Sequence, residues 1–343
     1  MPTKLRCAVI GSGFAGSTYA EAIRYAPDAE LVVVAGGRRA TEIAGRHGVR
    51  PVGTDGIDDV LISDEIDAAL IASPNPFHAP QAIRAAKAGK HVLVEKPMGM
   101  SVDECRAMID AAARAGVTLM PGHHHRFRRC ELAIRMLLDR GAIGAVDVAT
   151  LTLTEPDAES WLDLPENGGY LLGSGVHGID LLRFWLGDVG RVAALTGPYR
   201  GARVENGSLL LLEFIGGAHG MQQNSVVPGL SRPAGSGVVG MGATLTGGRG
   251  AIEGDMYGEV RRSTDTGWEP VTALPTWDNH FAFARIEAYA SMAREFVAAS
   301  LERRRPSVTG QDGLASVAVV EAAHRAAAER AWVDVEPLDA EEV

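Results

Sequence analysis

Six residues near the start of the chain, Gly11-Ser12-Gly13-Phe14-Ala15-Gly16, have the types and spacing of a turn that holds a pyrophosphate. Gly11 permits a tight turn, Gly13 lets the backbone approach the phosphates with no Cβ in the way, and Gly16 allows close packing of helix on strand. A helix opening at this point offers its amide groups and a partial positive charge to an anion, so Phe14 and Ala15 join the glycines as expected coenzyme contacts. The alternative is a glycine-rich turn without a ligand; the strand before it and the helix after it weigh against that. Further along, chains that bind NAD place an Asp or Glu where it can accept from the ribose hydroxyl. Here that place reads Ala35-Gly36-Gly37-Arg38-Arg39, with no acid. Gly37 followed by Arg38 leaves room for a 2′-phosphate and supplies a guanidinium to bind it, which tilts the expectation toward NADP over NAD. The competing reading makes Arg38 and Arg39 solvated residues at a helix start, with adenine stacked on one of them.

Such a turn works only inside a strand–helix–strand unit. Leu5 to Ile10 is a short apolar run, Phe14 to Tyr25 is amphipathic, and Leu31 to Ala35 is apolar again, which is the length of one βαβ unit. The alternation continues through a helix near Thr41 to His47, a strand Ala68 to Ala72 and a helix Phe77 to Ala88. A strand His91 to Glu95, a helix Val102 to Ala115 and a strand Thr118 to Met120 follow. Continuous apolar strands separated by helices predict a doubly wound parallel sheet of the Rossmann type, covered on both faces. After about Gly122 the rhythm changes. A helix Phe127 to Asp139 leads into longer period-two stretches at Ala145 to Leu153, Val192 to Leu195, Ser208 to Phe214, Ala218 to Asn224, Met241 to Thr246 and Ala251 to Glu253. Two Ala-rich helices, near Phe281 to Leu301 and Gln311 to Arg330, close the chain. This second part predicts an α+β domain with a large, mostly antiparallel open sheet. The division expected is residues 1–122 for dinucleotide binding and 123–343 for substrate binding and oligomerisation.

Composition narrows the function classes. With 343 residues, two domains are the prior expectation. A net charge of -10 with scattered Lys and Arg argues against nucleic acid as the main partner. No apolar run approaches the length of a membrane span, and the N-terminus enters a strand directly without a signal-peptide layout. Cys7, Cys105 and Cys130 are odd in number and widely spaced, forming neither a disulfide framework nor a zinc pattern, which suits a reducing cytoplasm.

Four separated motifs occur in a fixed order: the glycine turn, Ser73-Pro74-Asn75-Pro76-Phe77-His78, Glu95-Lys96-Pro97, and Gly168-Gly169 ahead of His177-Gly178-Ile179-Asp180. Together they resemble the glucose–fructose oxidoreductase, inositol dehydrogenase and rhizopine-catabolism family, Gfo/Idh/MocA, over nearly the whole chain. The resemblance implies an NAD(P)-dependent dehydrogenase or reductase acting on a secondary alcohol of a sugar, cyclitol or related polyol. Ser73, Pro74, Asn75 and His78 would line the adenosine and nicotinamide-ribose side, with Glu95 nearby. Lys96, before a bond that is often cis in the family, would stand beside the nicotinamide and the substrate hydroxyl. His177 would take the proton released when the carbinol is oxidised. Asp180 would orient His177 or bind a substrate hydroxyl, or else serve as an acid of the helix's first turn. Similar proteins are homodimers or homotetramers.

The chain also departs from the family pattern. Many members carry an aspartate four residues before the histidine; here that position is Gly173, followed by Ser174, which cannot act as a base at neutral pH. Trp161-Leu162 resembles a tryptophan–arginine pair near the coenzyme, with leucine for arginine. His123-His124-His125-Arg126-Phe127 stands where members often have an aromatic-Asn-Arg-Arg-Phe run. Adjacent histidines seldom all reach one ion, so no metal is expected, and His124 is expected to border the nicotinamide. Trp161, Tyr170, Trp277 and His280 are expected in loops near a carbohydrate cleft, and Phe184, Trp185 and Phe214 in the core. Two other functions remain open: a nucleotide-binding regulator without turnover, and glycoside processing with a recycled NAD.

Overall fold

The computed structural model describes residues 4–155, 163–226, 241–255, 258–272 and 281–336. Two compact units divide the chain, Met1–His124 with Arg285–Leu314, and His125–Ala284 with Ala315–Val343. The chain thus returns to the first unit late in its course, a segment that a single break between residues 122 and 123 leaves out.

Six parallel strands form the sheet of the first unit: β1 Leu5–Ile10, β2 Ala29–Ala35, β3 Arg50–Val52, β4 Ala68–Ile71, β5 His91–Val94 and β6 Leu119–Pro121. Their order, β3-β2-β1-β4-β5-β6, reverses direction between β1 and β4, which is where open parallel sheets bind ligands at their carboxyl edge. Helices α1 Phe14–Ala22, α2 Ala40–His47, α3 Ile57–Ile62, α4 His78–Lys87 and α5 Val102–Ala115 lie between the strands. Every residue of β4 is fully buried, as expected for a strand covered on both faces. Helix α1 ends at Ala22, three residues short of the expected limit, in a tight 3-10 turn at Ile23–Tyr25. Helix α5 keeps its expected bounds, because Ser101 Oγ accepts from the Glu104 amide at one end and Gly116, at φ +64°, closes the other.

The second unit carries α6 Arg129–Asp139, β7 Val146–Glu155, α7 Val176–Leu186, β8 Val189–Gly197, β9 Gly207–Phe214, β10 His219–Val226, β11 Met241–Gly247, β12 Gly250–Asp255, β13 Val260–Thr264 and β14 Gly267–Pro270. Two long helices follow, α8 Phe281–Glu302, which passes into the first unit, and α9 Gly310–Glu329, and then β15 Val333–Asp334. Among the described residues the sheet runs β14-β13-β12-β11-β7-β10-β9-β8-β15, with β7 and β10 parallel and every other pair antiparallel. Burial alternates along β9 and β10: Leu210, Leu212, Gln222 and Asn224 turn inward while Leu209 and Leu211 face out. Helix α7 crosses the inner face so closely that a Cβ on Gly178 would lie 2.7 Å from Leu151 Cδ2 and 2.8 Å from the Gln222 amide. Trp185 and Phe214 belong to the core as expected, whereas Phe184 is only half-buried beneath the Arg126 guanidinium. No helix among the described residues is long and apolar enough to cross a membrane.

Glu131 on α6 is a buried acid that the sequence did not mark. Burial pushes its carboxyl up to about 8, against the pull of the Arg128 charge. A carboxyl that binds its proton more tightly folded than unfolded stabilises the fold most at low pH. That contribution fades as pH rises from the usual carboxylate range toward about 8. Glu131→Gln should therefore flatten the fall in melting temperature between pH 5 and about 8.5. An unchanged slope in thermal melts would show that Glu131 is ionised throughout.

Candidate functional site

In the first unit, the turn after β1 is closed by backbone crowding. Gly11 sits at φ +106°, and a Cβ there would come within 2.3 Å of the Ala72 carbonyl oxygen. One on Gly16 would stand 2.0 Å from the Gly11 carbonyl oxygen, so helix and turn meet backbone to backbone. Gly13 differs: its Cβ would meet no protein atom within 4 Å. Space therefore lies open above the start of α1, where Gly13 is the N-cap and no side chain caps the helix or places an acid in its first turn. That combination suits an anion. Phe14 beside it is exposed.

The end of β2 turns through Gly36 and Gly37, at φ +80° and +78°. A Cβ on Gly37 would lie 2.3 Å from Ser12 Oγ, the same hydroxyl that accepts from the Arg39 amide at 3.1 Å. The loop after β2 is thereby fastened to the phosphate turn. Arg39 is paired with Glu42, its Nε 2.9 Å from Oε2, while Arg38 projects into solvent. Of the two arginines, Arg38 is the one facing outward from the turn without a carboxylate partner among the described residues.

Buried polar groups support the two loops that follow β4 and β5. Ser73 Oγ donates to Gln81 Oε1 at 2.7 Å, Asn75 is buried and Pro74 exposed. His78, expected as a coenzyme contact, is buried with Nδ1 2.8 Å from the Pro97 carbonyl and Nε2 2.8 Å from that of Ser73. Both nitrogens are used within the protein, so His78 ties the Ser73 loop to the Lys96-Pro97 turn instead of presenting itself to a ligand. The Lys96-Pro97 bond is cis. Glu95, also expected at the coenzyme, turns its carboxyl inward: Oε2 accepts from the Lys96 amide at 3.1 Å, and the Tyr19 and Tyr289 hydroxyls face it. Burial pushes this carboxyl up, opposed by the Lys96 charge. Gly122 leaves room for the arrangement, since a Cβ there would be 2.7 Å from the Tyr19 hydroxyl. Tyr289 meets Tyr19 edge-on at 5.3 Å and stacks on His124 at 4.3 Å between ring centroids. Lys96 is half-buried at the head of this assembly.

In the second unit, Gly168 and Gly169 adopt φ +83° and +78°, and a Cβ on Gly169 would meet the Glu205 carboxylate at 2.5 Å. Glu205 accepts from the Tyr170 and Leu171 amides, capping the helical stretch that holds His177. The sequence did not single out Glu205; its distance along the chain hides the role. Tyr170 is buried at the head of this stretch and not in a cleft loop. A wide π-turn, Leu171–Gly175, leads straight into α7. The His177 ring lies 4.4 Å from that of His125. Asp180 is gripped by Arg126, whose Nε and Nη2 donate to it at 2.7 to 3.1 Å in a pair with both side chains buried. Its carboxylate is committed to that guanidinium, which makes Asp180 a brace for the His125-Arg126 segment and α7. Trp161, Leu162, Trp277 and His280 lie outside the described residues.

Residues 5–123 match the oxidoreductase family's NAD-binding Rossmann fold, and residues 135–335 its C-terminal alpha/beta domain. The chain is 30% identical over 339 residues to the inositol 2-dehydrogenase of Rhizobium meliloti, covering 96% of this chain and 99% of that one. A solved putative myo-inositol dehydrogenase from Sinorhizobium meliloti superposes with a TM-score of 0.82 at 27% identity, over 97% of this chain and 100% of the other. GenD2 from gentamicin A biosynthesis, solved with NAD, gives a TM-score of 0.82 at 28% identity over 98% of this chain and 97% of its own. With both family domains matched in order along one chain, this protein belongs to the Gfo/Idh/MocA family of oxidoreductases.

Proposed function

We propose that the protein transfers a hydride between a nicotinamide coenzyme and a secondary alcohol of a cyclitol, sugar or related polyol. The observation that carries this reading is the uncapped start of α1 beneath open space at Gly13, within a chain resembling an inositol 2-dehydrogenase along its length. Gly11, Gly13, Phe14 and Ala15 would hold the pyrophosphate, and Ser73, Pro74 and Asn75 the adjoining ribose. Lys96 and His177 would handle the hydroxyl proton as hydride leaves for the nicotinamide ring. Within the first unit His78 and Glu95 hold the Ser73 and Lys96 loops, and within the second Asp180 holds Arg126. A panel of inositols and sugars, assayed in both directions, should reveal reversible coenzyme reduction. Lys96→Met should lower kcat about 10²- to 10⁴-fold while coenzyme still binds. Coenzyme binding without reduction of any polyol would favour the regulatory reading.

For the coenzyme we favour NADP over NAD, on the outward guanidinium of Arg38 beside Gly37 and the lack of an acid at the end of β2. Arg38→Ala should raise KM for NADPH about tenfold, the effect of losing roughly one charged hydrogen bond, and leave KM for NADH nearly unchanged. Equal loss for both would place Arg38 away from the 2′-phosphate.

The outer face of the large sheet exposes Leu195 at 67%, Leu211 at 50% and Leu209 at 45%. These residues neighbour one another across β8 and β9. We propose that this apolar face pairs copies of the chain into a homodimer or homotetramer. Three buried thiols suit a cytoplasmic setting. Light scattering should give two or four chains per particle; a monomer at micromolar concentration contradicts the pairing.

A further inference from the structure

Gly37 directly precedes Arg38 at the end of β2, where a side chain would reset the choice of coenzyme. It sits at φ +78°, a region that Asp and Asn enter more readily than other side chains do. Backbone conformation alone therefore does not keep an acid out. The obstacle is a single atom. A Cβ on Gly37 would lie 2.3 Å from Ser12 Oγ, but 3.5 Å from Ser12 Cβ, which is an ordinary contact. The Ser12 amide nitrogen, at 3.3 Å, is tight by only a few tenths of an ångström. Stripped of its hydroxyl, Ser12 would leave room for a side chain at residue 37.

That hydroxyl does not turn aside freely. Ser12 is buried, and its Oγ accepts from the Arg39 amide at 3.1 Å, so rotation gives up the bond that fastens the residue after Arg38. The other flank is held as well: the Gly37 amide donates to Thr54 Oγ1 at 3.2 Å and the Gly36 amide to the Val52 carbonyl at 2.9 Å. Arg38 thus stands between two amides that hydroxyls hold, with its own side chain in solvent. Gly36 differs from Gly37. A Cβ there would meet Ile57 Cδ1 at 2.6 Å, the far end of a flexible side chain that can move.

We propose that Ser12 is a positioning residue for coenzyme choice: its oxygen fixes the loop that carries Arg38 and shuts out an acid at residue 37. The inference rests on the reading of Arg38 as the group that meets the 2′-phosphate. A carboxylate at residue 37 would accept from a ribose hydroxyl and repel a phosphate in its place. One hydroxyl on the phosphate turn thereby admits one coenzyme and works against the other.

The test is a cycle of four proteins: wild type, Ser12→Ala, Gly37→Asp and the double variant, with NADH and NADPH titrated into each by calorimetry. Ser12→Ala should weaken NADPH about five- to tenfold, the scale of one lost hydrogen bond, and NADH less than about twofold. Gly37→Asp alone should weaken both coenzymes at least about tenfold, because the acid pushes on the phosphate turn. The double variant should hold NADH within about threefold of Ser12→Ala, while NADPH falls roughly 100-fold below it through repulsion by the carboxylate. Thermal melts show which of the free proteins are folded. A Gly37→Asp chain that fails to fold, beside a folded double variant that binds NADH, supports the exclusion equally. Equal weakening of both coenzymes in Ser12→Ala marks a merely structural defect and overturns the proposal. So does additivity, with Gly37→Asp costing the same NADH affinity in either background. If the wild type prefers NADH, the 2′-phosphate reading fails, and the NADH titrations alone then decide whether Ser12 shuts out the acid.

Discussion

Contact between backbones at the first turn is the constraint on which the rest depends. Gly11 and Gly16 bring the end of β1 and the body of α1 together at distances no side chain permits, with Ala72 at the end of β4 closing the third side. The packing aims the start of α1 at the carboxyl edge of the sheet, where strand order reverses. Because no side chain caps that start, the positive end of the helix is left for a ligand. The loops after β2, β4 and β5 then converge on the same edge, the first of them fastened to the turn by Ser12.

Within each unit, buried and half-buried polar groups fix position. His78 bridges two carbonyls, Glu95 holds its own neighbour's amide between two tyrosines, Glu205 caps the stretch carrying His177, and Asp180 locks Arg126. His78, Glu95 and Asp180 are buried and Glu205 is half-buried; an unsatisfied polar group in a buried place costs about 1–3 kcal/mol, so such networks have few alternative arrangements. Lys96 and His177, the residues assigned to chemistry, are each set on backbone that is held in this way. The division explains why several residues beside the motifs are supports and not contacts.

The parallel sheet, the following antiparallel one and the glycine turn were legible because each has a local period or a local steric demand. Strands β4 and β5 are unbroken apolar runs, and α5 carries its own start and stop signals. The roles of His78, Glu95 and Asp180 were not legible, since a motif names residue types without saying which way a side chain turns. Tyr289 and Glu205 lay hidden because their partners, Tyr19 and the Tyr170 amide, are far away along the chain. The expected continuation of α1 to Tyr25 failed for a different reason: amphipathic spacing cannot tell a last α-turn from a 3-10 one. Short edge elements such as β3 and β15 are too brief to show a period.

The most direct test uses the one glycine of the turn that the protein itself does not require. Gly13 has an ordinary negative φ of -74° and nothing within 4 Å of its missing Cβ. Calorimetric titration of NADH and NADPH into the wild type and Gly13→Val should show binding only in the wild type, with melting temperatures of the free proteins within a degree or two. Equal coenzyme affinity in the two proteins would contradict the account, because the space above α1 would then not be where the pyrophosphate rests.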